Sequence, residues 1–310
     1  MFHGAFWPVT QGSEGDSVRY RVVHHTEYRY VQPVALCHNE THLRPRAVAH
    51  QRCLSHALVI DPEPDLVSER EDFFGNPTAS FSMQRGHSHL SVTATSEVEV
   101  GSPKRPGQVA DVPWEEAAEI LRHDPDPERL EARQFILDSP LCEAAADITR
   151  YAAVSLRPGG LLLESVAELS ARIHGDFAYV PGFTSVTTPL SVVLEHRRGV
   201  CQDFAHLAIA CLRAHGLAAR YVSGYLETLP PPGQDKLIGA DASHAWFAVY
   251  HPGLGWFDFD PTNNHCPDNR HITVAWGRDY GDVTPLKGVV YGGGRQQATV
   301  SVEVINLLEG

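Results

Sequence analysis

The sequence is short of positive charge. Its 310 residues include 25 Lys and Arg against 38 Asp and Glu, which gives a formal net charge of -13. Lys and Arg form no long cluster, so neither nucleic acid nor an anionic membrane surface is expected as a partner. An apolar run of about 18 or more residues is also missing, and no transmembrane helix is predicted.

Cysteine is present, but never in the pairs that structural zinc sites need. The six cysteines include no CxxC pair, so zinc-finger spacing is missing, and a disulfide framework is not expected at this length. Reduced thiols in a cytoplasm fit this usage best. Residues 1–17 lack both a basic start and an unbroken apolar stretch, which argues against a signal peptide. The composition therefore predicts a cytoplasmic protein.

The pattern of polar and apolar residues divides the chain into two predicted domains. Residues 1–17 show no periodicity and are interpreted as a leader. Residues 18–103 alternate apolar and polar side chains between turn signals, which predicts a β-sandwich. Residues 104–113, interrupted by Pro and Gly, form a predicted linker. Residues 114–310 contain helical stretches followed by short alternating runs, which predicts helices and then strands.

One cysteine stands in a distinctive local setting. In the run RGVCQDFAHL, which covers residues 198–207, Cys201 opens a predicted helix that stops at Gly216. The partial positive charge of a helix start favours a thiolate over a thiol, and its free N–H groups can donate to an oxyanion. Cys201 is therefore a candidate nucleophile.

Two later motifs contain a base and a carboxylate in the order that a thiol enzyme needs. His244 follows Cys201 by 43 residues, and Asp260 follows after 16 more. Both flank predicted strands, so two adjacent antiparallel strands can bring the side chains together. Asp260 then accepts a hydrogen bond from one ring nitrogen of His244 and leaves the other facing the thiol. We expect Asp258, two positions earlier, to point away from His244.

Each of these residues also has an ordinary structural use. A free cysteine is usually a buried, unreactive thiol. A histidine such as His244 is often only a hydrogen-bonded, half-buried side chain, and Asp260 before Pro-Thr-Asn is also a common turn former. Spacing alone does not decide between a triad and these structural uses, so the triad is a hypothesis at this level.

Several motifs, in order along the chain, resemble those of the bacterial transglutaminase-like superfamily. In the C-terminal half they are RGVCQDFAHL, ARYVSGYL, GADASHAW and GWFDFDPTN. In the N-terminal half YRVVHHTEYRY, HNETHLRPR and DFFGNP resemble the N-terminal domain of the same family. The resemblance covers roughly residues 18–305 and is closest to the branch that holds transglutaminase-like enzymes and cysteine proteases.

The resemblance implies an α+β fold in which a β-sandwich precedes a papain-like core. It also implies that Cys201 is the nucleophile, His244 the general base and acid, and Asp260 the carboxylate that orients the histidine. The implied activity is thiol-dependent cleavage or transfer of peptide or isopeptide amide bonds through an acyl-enzyme. Hydrolysis is favoured over transfer to an amine because water is always available as the acceptor. Besides a peptide or protein substrate, a peptide-ligase-like protein is an implied partner.

Three residues near the triad are candidates for substrate contact. Gln202 adjoins the nucleophile, and Trp246 shares a strand face with His244. Tyr179 comes just before a loop rich in Gly, Pro and Thr that precedes the helix of Cys201. We expect these side chains to frame a groove for the substrate.

Neither a metal nor a cofactor is expected. The spacing of His265, Cys266 and His271 fits no standard zinc site, and a calcium-loop pattern is missing. The alternative from another class is a non-catalytic peptide-binding or scaffold protein that retains the fold. Degenerate members of the family usually lose a triad residue, whereas this chain has all three, which favours the enzyme.

Overall fold

The computed structural model describes residues 17–228 and 243–307. The predicted leader, apart from Ser17, lies outside the described residues, as does the run at residues 229–239 that the sequence predicts as a loop. Helices and strands are mixed along the described chain, and the α+β fold class is confirmed. None of the described helices is long and apolar enough to cross a membrane.

The N-terminal module is one curled sheet of seven strands, in the order β2-β5-β1-β4-β3 with two further strands paired to β1. Alternate residues along most of its fifth strand are buried, as the period of two predicts. The β region of the predicted fold class is confirmed as a curled sheet, and it is a single sheet because β1 has partners in both its first and its second half. The strands of this module are β1 (Val18–Thr41), β2 (Gln51–Asp61), β3 (Leu66–Glu71), β4 (Pro77–Met83) and β5 (His87–Val100).

Helices packed on a smaller sheet form the second module. The helices are α1 (Trp114–His123), α2 (Pro127–Arg133), α3 (Ala146–Ala152), α4 (Leu162–Asp176), α5 (Leu190–His196) and α6 (Cys201–Arg213). The first two strands, β6 (Ala178–Tyr179) and β7 (Arg198–Gly199), form a short parallel pair. The remaining strands form an antiparallel sheet in the order β10-β9-β8-β11, and they are β8 (Ala219–Leu226), β9 (Ser243–His251), β10 (Gly255–Phe259) and β11 (His271–Gly277).

The helix α6 lies at the centre of this module, against β8 and β9. Phe204, Ala208 and Leu212 recur with helical spacing and are buried, as their period predicts. The turn after the helix ends at Gly216, whose φ of 76° is the left-handed conformation that glycine adopts most readily. The apolar face of α6 therefore fixes the helix in the core, and its first residue lies where the core meets the surface.

Two strands near the C-terminus return to the N-terminal sheet. They are β12 (Leu286–Gly292), which pairs with the second half of β1, and β13 (Gln296–Asn306), which pairs with the first half. The sequence assigns both strands to the domain at residues 114–310, and the structure corrects that assignment. Alternating polar and apolar residues predict a strand but not its partner, because pairing over this sequence distance depends on the whole fold.

Side chains of the N-terminal module cover the free edge of β11. Gln51 Nε2 donates to Thr273 O over 2.7 Å, and Thr273 N–H donates to Gln51 Oε1 over 2.8 Å. Asn76 makes the same paired contact with the backbone of Trp276, over 2.8 and 3.0 Å. The guanidinium of Arg46 lies 3.6 Å from the ring centroid of Trp276. These contacts satisfy an edge strand that would otherwise expose unpaired backbone groups.

Replacing Gln51 by Ala tests the contact between the two modules. The N–H of Thr273 would lose its partner at a buried site, whereas its C=O would keep the hydrogen bond from the N–H of Arg46. Because one unsatisfied buried group costs about 1–3 kcal/mol, the free energy of unfolding in urea should fall by about that amount. As a control, Glu97→Ala removes an exposed ion pair with Arg21 and should change it by less than about 1 kcal/mol. Equal urea midpoints for Gln51→Ala and wild type would contradict this account of the interface.

Candidate active site

Cys201 is the first residue of α6, so the predicted helix start is confirmed. Val200 before it is extended, and its N–H donates to Asp203 Oδ2 over 2.8 Å. Thr184 Oγ1 donates to the same oxygen over 2.6 Å. A Cβ at Gly199 would lie 2.8 Å from that oxygen, so the chain entering the helix requires glycine there. The carboxylate of Asp203 thus holds the entry to the helix, and Cys201 lies beside it, partly exposed.

His244 and Asp260 come from neighbouring antiparallel strands. His244 lies in β9, and Asp260 directly follows Phe259, the last residue of β10, which pairs with Phe247. This register makes His244 and Asp260 diagonal neighbours on one face. His244 Nε2 lies 2.7 Å from Asp260 Oδ2. The structure therefore brings these two predicted site residues into hydrogen-bond contact.

The carboxylate of Asp260 is fully buried, and its side chain is 0% exposed. Besides His244, its Oδ2 contacts His271 Nε2 over 3.3 Å and accepts from Asn263 Nδ2 over 2.7 Å. Its Oδ1 accepts from the backbone N–H groups of Thr262 and Asn263 over 2.9 and 3.2 Å. Donors therefore surround both oxygens, which is the environment that an ionised carboxylate needs when it is buried.

The electrostatics of the pair favour a charged histidine. Burial by itself lowers the pKa of His244, but the interactions with Asp260 and Cys201 raise it to about 10. Burial also raises the pKa of Asp260, whereas the hydrogen bonds from His244 and His271 hold it well below its usual range. The interactions with Asp260 and Cys201 therefore favour the imidazolium form of His244, and the hydrogen bonds to Asp260 favour its ionised form.

The second nitrogen of His244 is the one available to the thiol. Nε2 is engaged by Asp260, which leaves Nδ1 for Cys201, and the interaction with Cys201 contributes to the raised pKa of His244. Burial raises the pKa of Tyr179, and its interaction with Cys201 raises that pKa further. This arrangement allows His244 to take the thiol proton and form a thiolate–imidazolium pair.

Trp246 lies behind His244 instead of at an open surface. It is 1% exposed, and its ring centroid lies 6.0 Å from that of His244. A Cβ at Gly224 would lie 2.5 Å from the Trp246 ring, so the glycine makes room for the indole. The Trp246 ring therefore exposes almost no surface that a substrate could contact. Instead it packs near the imidazole of His244.

Asp258 does not point away from His244, so that prediction is wrong. Residues two apart on a strand share a face, and Asp258 therefore lies on the same side as Asp260. Its Oδ1 accepts from Trp246 Nε1 over 3.1 Å, whereas Asp260 contacts His244 directly. Asp258 is thus the weaker partner for His244 because of its different hydrogen bond, not because of its direction.

Gln202 and Tyr179 flank the start of α6. Gln202 Nε2 donates to Val186 O over 3.3 Å, which ties the preceding loop to the helix. Tyr179 lies in β6 opposite Gly199 and is 53% exposed. An exposed aromatic ring therefore lies on the strand beside the chain that enters α6, and the contact of these two residues with a substrate stays a prediction.

Three side chains in the site have the chemistry of metal ligands. His244, Asp260 and His271 each offer one ligand atom, and these atoms lie within 4.8 Å of one another, the one such group within residues 17–228 and 243–307. An ion among them would have to displace the hydrogen bonds described above. His265 packs its ring near His271, with centroids 5.1 Å apart, but belongs to no ligand group there. The hydrogen bonds account for the cluster by themselves.

The sequence-based prediction misses two residues that the structure places in the site. His271 is considered only as a metal ligand, and Asn263 only as part of a motif. Asn263 follows Asp260 in a turn, and the tendency of Asp to cap such turns is a signal that could identify it. His271 begins the edge strand β11, and nothing in its local sequence indicates which strand or carboxylate it meets.

Comparison with known proteins identifies the class of this fold and site. The bacterial transglutaminase-like N-terminal region matches residues 20–99, and the transglutaminase-like superfamily core matches residues 150–261. An uncharacterized protein of Mycobacterium tuberculosis is 44% identical over 292 residues, which cover 93% of this chain and 92% of the relative. The chain therefore belongs to the bacterial transglutaminase-like family, as its motifs predict.

Two further proteins show how far the similarity extends. The structure described as "a Putative Cysteine Protease from Cytophaga hutchinsonii" is 21% identical, with a TM-score of 0.73 over 94% of this chain and 91% of that one. It shares the fold. A protein-glutamine gamma-glutamyltransferase of Pseudomonas aeruginosa is 34% identical over 134 residues, which are 42% of this chain and 19% of that protein. Family membership supports a thiol-dependent enzyme.

Replacing Asp260 by Asn tests the electrostatics of the site. The substitution removes the negative charge that helps to raise the pKa of His244 to about 10, so that pKa should fall toward the ordinary value of about 6.5. NMR titration measures it, with His244→Gln to assign the resonance. The raised pKa of His244 stabilises the folded protein fully below about pH 6.5, and this stabilisation is lost as the pH rises through about 10. In Asp260→Asn the free energy of unfolding should therefore decrease less over that pH range. An unchanged titration would contradict the assigned pairing.

Proposed function

We propose that this protein is a thiol-dependent hydrolase or acyltransferase that acts on peptide or isopeptide amide bonds. One observation carries the proposal. A partly exposed thiol, Cys201, stands at a helix start, and the buried carboxylate of Asp260 holds His244 through a 2.7 Å contact. The interaction with Cys201 is one cause of the raised pKa of His244. These are the nucleophile, the base and the orienting group of a thiol enzyme.

The reaction has two halves that use the same proton carrier. His244 Nδ1 takes the thiol proton, and the Cys201 sulfur attacks the carbonyl carbon of the amide. The C–N bond of the tetrahedral intermediate then breaks, and the amine leaves with the proton from His244. Water or an amine next attacks the thioester, passes its proton to His244, and the sulfur leaves and takes that proton back.

The first turn of α6 supplies a second form of stabilisation. The N–H groups of Cys201 and Gln202 lie in that turn and have no acceptor within the helix. They can therefore donate to the oxygen that becomes negative in the tetrahedral intermediate. The partial positive charge of the helix start favours the thiolate in the same place. Both effects follow from Cys201 being the first helical residue.

Hydrolysis is proposed as the main reaction. Water reaches a partly exposed thiol without a second binding site, whereas amine transfer needs a site for the acceptor. The name of the Pseudomonas aeruginosa relative denotes transfer to an amine, so amine transfer is the competing outcome. The exposed ring of Tyr179 and the side chain of Gln202 are the proposed contacts for a peptide on either route.

A reducing compartment and a processing partner complete the proposal. The six cysteines all lie in the described residues as free thiols, which supports a cytoplasmic location. The family resemblance supports a peptide-ligase-like partner whose modified peptide products would be substrates.

Substitution of the nucleophile tests the activity directly. Wild type and Cys201→Ala are compared on a panel of peptide and isopeptide amides, with and without an added primary amine. We expect Cys201→Ala to lose at least about 10³-fold in kcat/KM, as nucleophile deletions do. Free acid as the main product supports hydrolysis, and an amine adduct as the main product replaces it with transfer.

Cys53 provides the matched control. It is also partly exposed, but it lies in β2 of the N-terminal sheet, where its thiol contacts Ser55 O over 3.3 Å. Cys53→Ala should keep the wild-type rate. If Cys201→Ala and Cys53→Ala have the same rate as wild type, the enzyme proposal is wrong and the fold serves as a binding or scaffold protein instead.

A further inference from the structure

We propose that His271 is a positioning residue that aligns Asp260, and through it His244, for the thiol chemistry; this inference rests on the function proposed above. His271 is the first residue of β11, and its side chain is 1% exposed. Its Nε2 lies 3.3 Å from Asp260 Oδ2. His271 and His244 both contact that oxygen, so His271 affects His244 only through Asp260 and does not contact the reacting atoms.

The other nitrogen of His271 is held by Asp268. Nδ1 lies 3.2 Å from Asp268 Oδ1, and the backbone N–H of Asp268 points to Nδ1 over the same distance. A neutral ring accepts that N–H, and a charged ring donates to the carboxylate. In both states Nε2 carries a hydrogen toward Asp260, so the direction of the His271–Asp260 hydrogen bond is fixed.

Neighbouring side chains restrict the plane of the His271 ring. Trp246 meets it edge to face, with centroids 5.3 Å apart and an interplanar angle of 86°. His265 packs against it at 5.1 Å, and burial lowers the pKa of His265, so that neighbour is neutral at neutral pH. Arg270 forms an ion pair with Asp268 over 3.0 Å and so stabilises the carboxylate that contacts His271 Nδ1. The imidazole is therefore set by packing as well as by hydrogen bonds.

The contact matters because it decides where Asp260 Oδ2 points. That oxygen also serves His244 and Asn263, each over 2.7 Å. Without the donor from His271 the carboxylate could turn about its Cβ–Cγ bond and move away from His244 Nε2. Small displacements of a catalytic group reduce the rate of the chemical step more than substrate affinity. Loss of the His271 donor should therefore lower kcat and leave KM nearly unchanged.

The strand β11 also links the His271–Asp260 contact to the N-terminal module. Thr273 lies two residues after His271. The side chain of Gln51 in β2 hydrogen-bonds to both the N–H and the C=O of Thr273. The start of β11 is therefore fixed from outside the second module. This gives the N-terminal sheet a structural route to Asp260.

A pair of amide substitutions separates the two contacts of His271. Glutamine places its amide nitrogen near the position of Nε2 and retains a donor for Asp260, whereas asparagine reaches only the position of Nδ1 and retains the contact with Asp268. We expect His271→Gln to keep kcat within about threefold and His271→Asn to lower it about tenfold or more, with KM within about twofold. The control is His56→Asn, since the His56 side chain contacts Ser96 on the N-terminal sheet and its substitution should leave kcat unchanged.

A second measurement needs no substrate. The hydrogen-bonded Nε2–H of His244 should give a low-field proton resonance in wild type and in His271→Gln, and should lose it in His271→Asn. Alkylation of Cys201 by iodoacetamide should slow in the asparagine variant alone. If wild-type Cys201 is alkylated no faster than the other thiols, the proposed function fails, while the resonance still tests His271. Equal effects of the two substitutions on kcat and on the resonance would overturn the role of His271.

Discussion

The buried carboxylate of Asp260 is the constraint on which the candidate site depends. Burying an ionised carboxylate away from water costs free energy unless hydrogen-bond donors surround it. Here the donors come from the turn after β10, from β9 and from β11. Each donor is held in place by the need to satisfy the same two oxygens. The position of His244 beside the start of α6 is therefore a consequence of satisfying one buried charge.

The N-terminal sheet belongs to this arrangement as well. Its β1 pairs with β12 and β13, so this one sheet contains strands from both sides of the second module in the sequence. Residues such as Tyr20 and Val22 share a core cluster with those of α6. Gln51 and Asn76 cover the edge of β11 with side-chain amides, so the N-terminal sheet directly supports the strand that contains His271.

Local chemistry made part of this structure predictable. A cysteine at a helix start, and a histidine and an aspartate at strand ends, are visible as motifs, and the structure brings His244 and Asp260 together. The contact of His271 was not predictable, because it depends on β11 lying next to β8. The burial of Trp246 depends on the missing side chain at Gly224 on the paired strand. Such properties come from pairing over long sequence distances, which alternation and periodicity do not encode.

In the proposed reaction Cys201 carries the acyl group, and His244 activates the sulfur of Cys201. Acid quenching during turnover of an amide substrate, followed by mass spectrometry of the peptides, measures this directly. We expect an acyl mass on the peptide that contains Cys201 in wild type, and none in His244→Ala. Acylation of another residue, or equal acylation of Cys201 in wild type and His244→Ala, would contradict it.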